Sequence, residues 1–279
     1  MAEALPQMTM FLLDEAVETG KGNATVISLL DFFFQNYGLK ETECHLHANN
    51  CAGRGKTKAM IQYLLWRVMT GRHKKITLSF HLEGHARFAP EWCFGLFKTK
   101  FRHSRVDSLA DIVQVASSAS TSGIIVPQLC GDEAGNVFVP TRDWAAFLDG
   151  FFQKPMGLKK YHHFIFHPSG EVHAKLTCTS AHQVMDLKKD DVNIPQGDLP
   201  SIVLPKGLSQ ERKEYLFREV REFVKPECRD LVCPQPSKCP PSATSPSISS
   251  ATALSSPPST GDTSTVSAVS PRSSEEEAM

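Results

Sequence analysis

The most constraining feature of this sequence is the order in which strand-like and helix-like patterns alternate over its first half. The apolar runs "TMFLL", "ECHLHA" and "KKITLSFHL" have the length of strands. Between and after them lie segments whose apolar residues recur every three or four positions, as Val26, Leu29 and Leu30 do. Alternation of this kind predicts an α/β layer with strands that are at least partly parallel.

Capping and turn residues predict where the helices of this half begin and end. Ser108, followed three residues later by Asp111, resembles a capping box, and Pro90 fits the first turn of a helix. The same kinds of signal predict a first helix that Asn23 caps and Gly38 ends, and a second from about Thr57 to Thr70.

The second half of the chain is predicted to contain shorter elements. The run "NVFVP" predicts a short strand, and a helix is expected from about Arg142 to Phe152. "YHHFIFH" and "EVHAKLTC" flank Pro168-Ser169-Gly170 and predict a hairpin. The segment from Gln210 to Val224 has the apolar periodicity of an amphipathic helix.

Composition changes near the carboxyl end. From Pro236 to Met279, 26 of 44 residues are Pro, Ser or Thr, and none is aromatic. Such a segment cannot bury enough apolar surface to offset the entropy lost on ordering, so we expect it to be disordered. We therefore expect a domain with a hairpin extension over 1–188, a linker and amphipathic helix over 189–235, and a disordered tail over 236–279.

Charge and hydropathy exclude several broad classes of protein. The 30 basic and 30 acidic residues balance, so bulk charge favours neither nucleic acid nor an anionic membrane as partner. No apolar run approaches the roughly 20 residues that a membrane-spanning helix needs. The first residues lack the pattern of a signal peptide, and the eight cysteines are scattered. We expect an intracellular protein with reduced thiols and no membrane partner, in either the nucleus or the cytoplasm.

One loop raises the question of nucleotide binding. In "HANNCAGRGKTKAM", Gly55-Lys56-Thr57 lies between a strand-like and a helix-like run, as at the end of a phosphate-binding loop. The first glycine of that motif would fall at Asn50, and the next strand runs into His81 rather than an Asp that could organise magnesium. A nucleotide-binding protein therefore stays a secondary hypothesis, with Lys56 as the residue to test.

A basic stretch is the candidate contact for nucleic acid. "FKTKFRHSR" contains no acid and carries four cations, Lys98, Lys100, Arg102 and Arg105. These cations could contact phosphates, or they could form the solvated end of a helix, where positive charge complements the helix dipole. Lys74 and Lys75 would extend the patch if they lay on the same side.

Cysteines and histidines give weaker grounds for a zinc site. Cys44, His47 and Cys51 lie close in sequence, as do His81 and His85, but a structural zinc site needs four ligands with compact spacing. Cys44 and His47 would point to opposite faces of a strand, because their separation is odd. We favour buried thiols and ordinary histidines, and we expect no functional metal and no small-molecule substrate.

Residues from Glu3 to about Lys188 resemble a domain of animal proteins of transposon origin, catalogued as domain of unknown function 7869. The resemblance rests on long stretches, above all "GKGNATVISLLDFFFQNYGL", "CHLHANNCAG" and "LLWRVMTGRHKKITLSFHLEGHARFAPEWCFGLFKTKFR". "KKYHHFIFH" and "GLSQERKEYLFREVREF" extend it toward the carboxyl end. The family looks like a divergent relative of DDE transposases and integrases. This likeness implies a ribonuclease-H-like fold in which three carboxylates hold two metal ions for phosphoryl transfer.

The resemblance also implies that these carboxylates are degraded here. Asn49 stands where the family pattern D-N-C-x-G-Q-N-K-N has its Asp, and an Asn carbonyl lacks the charge that holds two cations together. Glu91 matches the third carboxylate, and His85 matches a His of the family's G-H-T element. The strand of the first carboxylate would precede Met1, so the chain is expected to be truncated relative to the family.

The resemblance thus implies an incomplete ribonuclease-H-like α/β layer, followed by a small α+β extension. It implies a transposable-element-derived protein that is no longer an enzyme, has lost its ancestral Mg²⁺ or Mn²⁺, and binds nucleic acid or a protein. The alternative is a metal-dependent nuclease or transposase whose missing strands come from another chain.

Overall fold

A computed structural model of the protein describes residues 7–38, 41–49, 56–81 and 89–236. The described residues form two sheets. In the first, β1 (Met8–Leu12) pairs in parallel with β4 (Ile125–Leu129). The second has five strands in the order β2 (Glu43–Ala48), β3 (Lys75–Phe80), β5 (His163–Phe166), β6 (Glu171–Lys175) and β7 (Gln183–Asp186).

The five-stranded sheet is mixed, because β2 and β3 are parallel and the other neighbours are antiparallel. The helices are α1 (Asn23–Asn36), α2 (Lys58–Met69), α3 (Ala89–Arg102), α4 (Leu109–Ser117), α5 (Trp144–Asp149), α6 (Gln210–Tyr215) and α7 (Arg229–Val232). Short 3₁₀ turns lie at Glu15–Val17, Leu158–Lys160 and Pro226–Cys228. The α/β class expected from the alternating pattern is confirmed.

Two helices start where the sequence predicts, and each has a side-chain cap there. Thr57 Oγ1 accepts the backbone N–H of Met60 at 3.3 Å at the start of α2. Ser108 and Asp111 form the predicted capping box of α4. The predicted cap of α1 is wrong by one residue, because Gly22 has the extended backbone of an N-cap and Asn23 is already helical.

The main core lies between α2 and one face of the five-stranded sheet. All residues of α2 from Ala59 to Val68 are buried, and Trp66 is fully enclosed beside Trp144 of α5. A buried ion pair crosses to α1, where Arg67 Nη1 lies 2.8 Å from Asp31 Oδ1. This arrangement fixes α2, and with it the sheet that α2 covers.

The β1–β4 pair has a smaller core of its own. Its buried members are Met10, Cys93, Ala116, Ile124 and Ile125, contributed by both strands, α3, α4 and the segment before β4. On the other face of β1, Phe11 meets Phe32 of α1, with ring centroids 6.2 Å apart. Because α1 also packs on α2, it lies next to both sheets.

The hairpin is confirmed as β5–β6, with His163 opposite Lys175. The expected strand "NVFVP" is wrong, because it forms only a bridge between Val137 and Gly131. The expected helix from Arg142 to Phe152 is shorter, spanning α5 alone. The strands β4 and β7 were not expected at all.

Near the carboxyl end, the predicted amphipathic helix begins as α6. It continues through a π turn at Leu216–Val220 and a 3₁₀ turn at Arg221–Phe223. The Pro-, Ser- and Thr-rich tail from residue 237 lies outside the described residues. Of the helices in the described part, none is long and apolar enough to cross a membrane.

Candidate functional site

Asn49, where the resemblance implies a lost catalytic Asp, directly follows β2 and is exposed. Because β2 and β3 are parallel, both strands end at the same edge of the sheet, and His81 follows β3 there. The N–H of His81 donates to the carbonyl of Ala48 at 3.0 Å. The rings of His47 and His81 stack with centroids 5.5 Å apart. Residues 50–55, the rest of the loop, lie outside the described residues.

Glu91, matched to the third carboxylate, lies in the first turn of α3 and is exposed. His85 lies outside the described residues. Of the positions that the resemblance assigns to metal binding, the described ones supply one carboxylate and one neutral amide. Two divalent cations need several charged oxygen ligands, so this donor set does not fit a metal pair. Across the described ranges, no three or more His, Cys, Asp or Glu side chains are grouped to hold a metal ion.

Lys56 and Thr57, the end of the phosphate-loop-like motif, contact other parts of the fold. Lys56 Nζ donates to the carbonyl of Lys159 at 3.2 Å and lies 5.0 Å from the centroid of the Phe80 ring. Burial lowers the pKa of Lys56. Thr57 uses its hydroxyl to accept the N–H of Met60. In a phosphate-binding loop these two side chains would reach phosphate and magnesium, whereas here both have partners within the fold.

Cys44 and His47 lie on opposite faces of β2, as their odd spacing predicts. Cys44 is half-buried against the main core, and His47 is exposed. Burial raises the pKa of the Cys44 thiol to about 11, so the thiolate that zinc requires is disfavoured. Cys51 lies outside the described residues.

The helix α3 leaves three aromatic side chains in solvent. Its inner face, which includes Cys93 and Phe97, packs against the β1–β4 core. On its outer side, Trp92, Phe94 and Phe101 are 56%, 45% and 42% exposed. Phe94 and Phe101 lie seven positions apart and share one edge of this outer side, whereas Trp92 lies nine positions before Phe101 and therefore on the opposite edge. Exposed aromatic side chains of this size are typical of a binding surface.

Two of the predicted basic residues share this outer side of α3. Lys98 and Arg102 are exposed and lie four and eight positions after Phe94, which places the three on one helix face. Lys98 Nζ lies 4.8 Å from the centroid of the Phe94 ring. We call Trp92, Phe94, Lys98, Phe101 and Arg102 the α3 surface. Lys100 is exposed too, but it lies seven positions after Cys93 and so continues the inner side of the helix.

The remaining predicted cations are placed elsewhere. The guanidinium of Arg105 donates to Asp107 at 2.7 Å, so its charge is offset by an acid. That pairing raises the pKa of Arg105. Lys75 is the first residue of β3 in the five-stranded sheet, opposite Glu43 in register, and Lys74 directly precedes it. They therefore belong to a different sheet from the one on which α3 packs.

A group of acids at the carboxyl ends of β1 and β4 was missed from the sequence, because β4 itself was missed. Burial, together with Glu133, raises the pKa of Asp14. Both carboxylates nevertheless have local roles. Asp14 accepts the N–H of Ala16 at 2.7 Å, and Glu133 accepts the N–H of Leu109 at 3.1 Å. We interpret these acids as helix and turn caps.

Comparison with known proteins identifies the family of the chain. The model of the family described as "Domain of unknown function (DUF7869)" matches residues 5–183, more than half of the chain. The chain belongs to this family. The DUF7869 match runs from just before β1 to the first residue of β7 and includes the whole of α3. No curated protein and no solved structure matches the sequence.

Proposed function

We propose that this DUF7869 chain derives from a transposable element, no longer carries out strand transfer, and binds single-stranded nucleic acid through the α3 surface. The observation that carries the proposal is the placement of two cations among three exposed aromatic side chains on one helix. Cations neutralise backbone phosphates, and aromatic rings stack on unpaired bases at about 1–3 kcal/mol per base. Because the overall charge is balanced, attraction to phosphates has to come from a local surface such as this one.

The loss of chemistry rests on Asn49 and on the ancestry that the resemblance implies. A neutral amide cannot hold two cations as a carboxylate does, and Glu91 is then the only acid left among the described positions of the set. We expect the purified chain to leave supercoiled DNA intact in Mg²⁺ or Mn²⁺. Metal-dependent nicking that Glu91→Gln abolishes would instead support the surviving nuclease or transposase.

The contacts of Lys56 and Thr57 give no support to a nucleotide-binding protein. Both side chains bind neighbouring groups in a way that stabilises the start of α2 and the segment before β5. ATP or GTP binding that Lys56→Ala removes would favour that function over ours.

Binding is tested with a fluorescently labelled oligothymidine and the full chain. The double variant Lys98→Glu/Arg102→Glu should weaken binding at least about tenfold and lower the salt slope by about 1.4, the contribution of two phosphate contacts to a single strand. Lys100→Glu is the matched control, because it reverses the same kind of charge on the other side of α3. It should change the dissociation constant less than about threefold.

Tryptophan fluorescence reports stacking directly. Trp66 and Trp144 are fully buried, so Trp92 is the tryptophan that a base can reach. Addition of the oligonucleotide should quench the emission of Trp92, and Trp92→Phe should remove the quenching. Equal effects of Lys98→Glu and Lys100→Glu, or binding without quenching, would contradict recognition by the α3 surface.

A further inference from the structure

The strand β1 has one edge that pairs with no described strand. It pairs with β4 alone, and the N–H of Met8 donates to the carbonyl of Ile124 at 2.7 Å. In a parallel ladder alternate residues bond to the same neighbour. The backbone N–H and C=O groups of Thr9 and Phe11 therefore point away from β4, toward the unpaired edge.

The strand β2 has a second such edge. Its neighbour is β3, and the carbonyl of Ala48 accepts the N–H of His81 at 3.0 Å. By the same alternation, Glu43 and His45 direct their backbone groups away from β3. Each sheet of the protein thus ends, within the described residues, in a strand with one row of free backbone donors and acceptors.

These two edges line the same groove. A cavity of about 370 Å³ is lined by Thr9 of β1 with Gln7 just before it, which we call one wall, and by Glu43, Cys44 and His45 of β2, the other wall. Its lining also includes three aromatic residues from the end of α1, namely Phe33, Phe34 and Tyr37. The lining includes Thr9, Glu43 and His45, whose outward backbone groups pair with no described strand, so the groove offers hydrogen bonds from both strands.

The directions of β1 and β2 are consistent with two strands of one sheet on either side of the groove. The groove is lined by the amino-terminal ends of both β1 and β2, and α1 connects the end of one strand to the start of the other. A strand–helix–strand connection of this kind is typical of parallel strands in one sheet. The arrangement resembles one sheet from which a strand between β1 and β2 is missing.

We propose that this groove binds a β-strand from another polypeptide segment, which joins the two sheets into one. The strand order would then be β4, β1, the bound strand, β2, β3, β5, β6 and β7. The proposal is independent of nucleic-acid binding by the α3 surface, because it rests on backbone edges rather than on exposed cations.

The chemistry of the groove defines the occupant. A single strand can pair with both walls, whereas the edge strand of a second folded copy is attached to its own sheet and cannot enter between them. The aromatic lining favours apolar side chains at alternate positions, and exposed Glu43 favours a basic side chain on the opposite face. The chain's own tail, 237–279, fits poorly, because it is rich in proline and has only Lys238 and Arg272 as basic residues.

The probe is the peptide acetyl-Lys-Val-Thr-Val-Lys-Val-Thr-amide, with the same peptide carrying proline at its central position as a control that cannot pair. Amide hydrogen exchange of the full chain is measured with and without the probe at about 1 mM. The amides of Thr9 and Phe11 on one wall, and of Glu43 and His45 on the other, should be slowed together at least about tenfold. The proline peptide should slow neither set.

A matched pair of variants isolates the backbone group. His45→Pro removes the N–H that faces the groove but no hydrogen bond to β3, so the variant should fold and lose the protection at both walls. His45→Ala removes the same side chain and keeps the N–H, so binding should remain within about twofold. Glu43→Lys should weaken binding of the basic peptide. It should not alter amide exchange of the peptide-free chain outside the groove.

Four outcomes would overturn the proposal. Protection of one wall only would mean that a strand adds to a single edge. Protection that appears without peptide and rises with protein concentration would mean that a second copy is the occupant. Protection without peptide that disappears when 237–279 is deleted would assign the groove to the chain's own tail. Absence of any protection would mean that the groove does not take a strand.

Discussion

The five-stranded sheet and the β1–β4 pair are held by different kinds of core. The larger sheet lies on α2, whose residues from Ala59 to Val68 are all buried, and its core includes Trp66 and Trp144. The smaller pair relies on a few residues such as Met10 and Cys93. Both proposed binding features, the α3 surface and one wall of the groove, belong to the smaller part.

Under our two proposals, the larger sheet supplies stability and the smaller part supplies the binding surfaces. Burying a large apolar side chain stabilises the folded state by about 1.5–3 kcal/mol relative to leaving it exposed. The larger sheet, with many such side chains in its core, is therefore expected to be the more stable part. The smaller part leaves Trp92, Phe94 and Phe101 in solvent, and one edge of β1 pairs with no strand in the described part of the chain. Binding surfaces are commonly drawn from the less stable parts of a structure.

The largest expected effect is a loss of stability in the larger part, at the buried ion pair between α1 and α2. Asp31→Asn leaves Arg67 charged, buried and without its carboxylate, which should lower the free energy of unfolding by about 3–5 kcal/mol. Arg67 and Asp31 side chains are each 6% exposed, so water cannot replace the lost partner. Urea unfolding followed by circular dichroism measures the change.

The double variant Asp31→Asn/Arg67→Met is the control for this prediction. It removes both charges and should recover most of the lost stability, because the cost lies in the unpaired charge. A double variant as unstable as Asp31→Asn would show that packing, rather than charge, makes the site sensitive.

Acid should weaken the same region. Burial, together with Arg67, lowers the pKa of His73 to about 4, and Arg67 Nε donates to His73 Nδ1 at 3.2 Å. The unfolded chain then binds more protons than the folded one below an ordinary histidine pKa of about 6.5. Stability should be full above pH about 6.5 and fall by up to about 3 kcal/mol as the pH approaches 4.

His73→Gln is the matched variant for the acid effect, since its side-chain oxygen can still accept from Arg67 and does not titrate. Urea unfolding at a series of pH values should show a flatter profile for this variant between pH about 4 and 6.5. An unchanged profile would place the acid sensitivity elsewhere, for example at His167, whose pKa is lowered by burial and by His173.

A change in the smaller core should loosen that part alone. Met10→Ala opens a cavity between β1 and α3. It should lower the free energy of unfolding by about 2 kcal/mol, at the lower end of the range for such a truncation. We expect faster amide exchange in β1 and β4 and little change in β3 and β5. Equal acceleration in both sheets would show that the two cores unfold as one unit.

The smallest expected effects compare helix caps in the two parts. Ser108→Ala removes the cap of α4, and Thr57→Ala removes the cap of α2. Each should lower the free energy of unfolding by about 1 kcal/mol. We expect exchange to quicken at the start of α4 in the first variant. The second should have little local effect, because buried side chains hold α2 independently of its cap.

Much of the local structure could be predicted from the sequence. The period of Val26, Leu29 and Leu30 indicated α1, the capping box at Ser108 indicated α4, and the turn at Gly170 indicated the β5–β6 hairpin. The strand β4 escaped prediction because Pro127 interrupts its run, and proline is usually excluded from central strands. Here β4 is paired on one side alone among the described strands, so the proline is tolerated.

The candidate site was only partly readable from the sequence. Lys98 and Arg102 were visible as a basic stretch, and Asn49 stood out through the family resemblance. The exposure of Trp92 was not visible, because an aromatic residue in an amphipathic helix is expected to be buried until its neighbours are known.

The sequence by itself determined many of the elements, such as α1, α4 and the β5–β6 hairpin, because caps, turns and apolar periods act over a few residues. Tertiary structure alone decided which strands pair, since β1 meets β4 across more than a hundred residues of chain. It also decided where pairing stops. Among the described strands, β1 and β2 each have an unpaired edge because backbone groups pair according to the position of neighbouring strands, a property that no local pattern of side chains encodes.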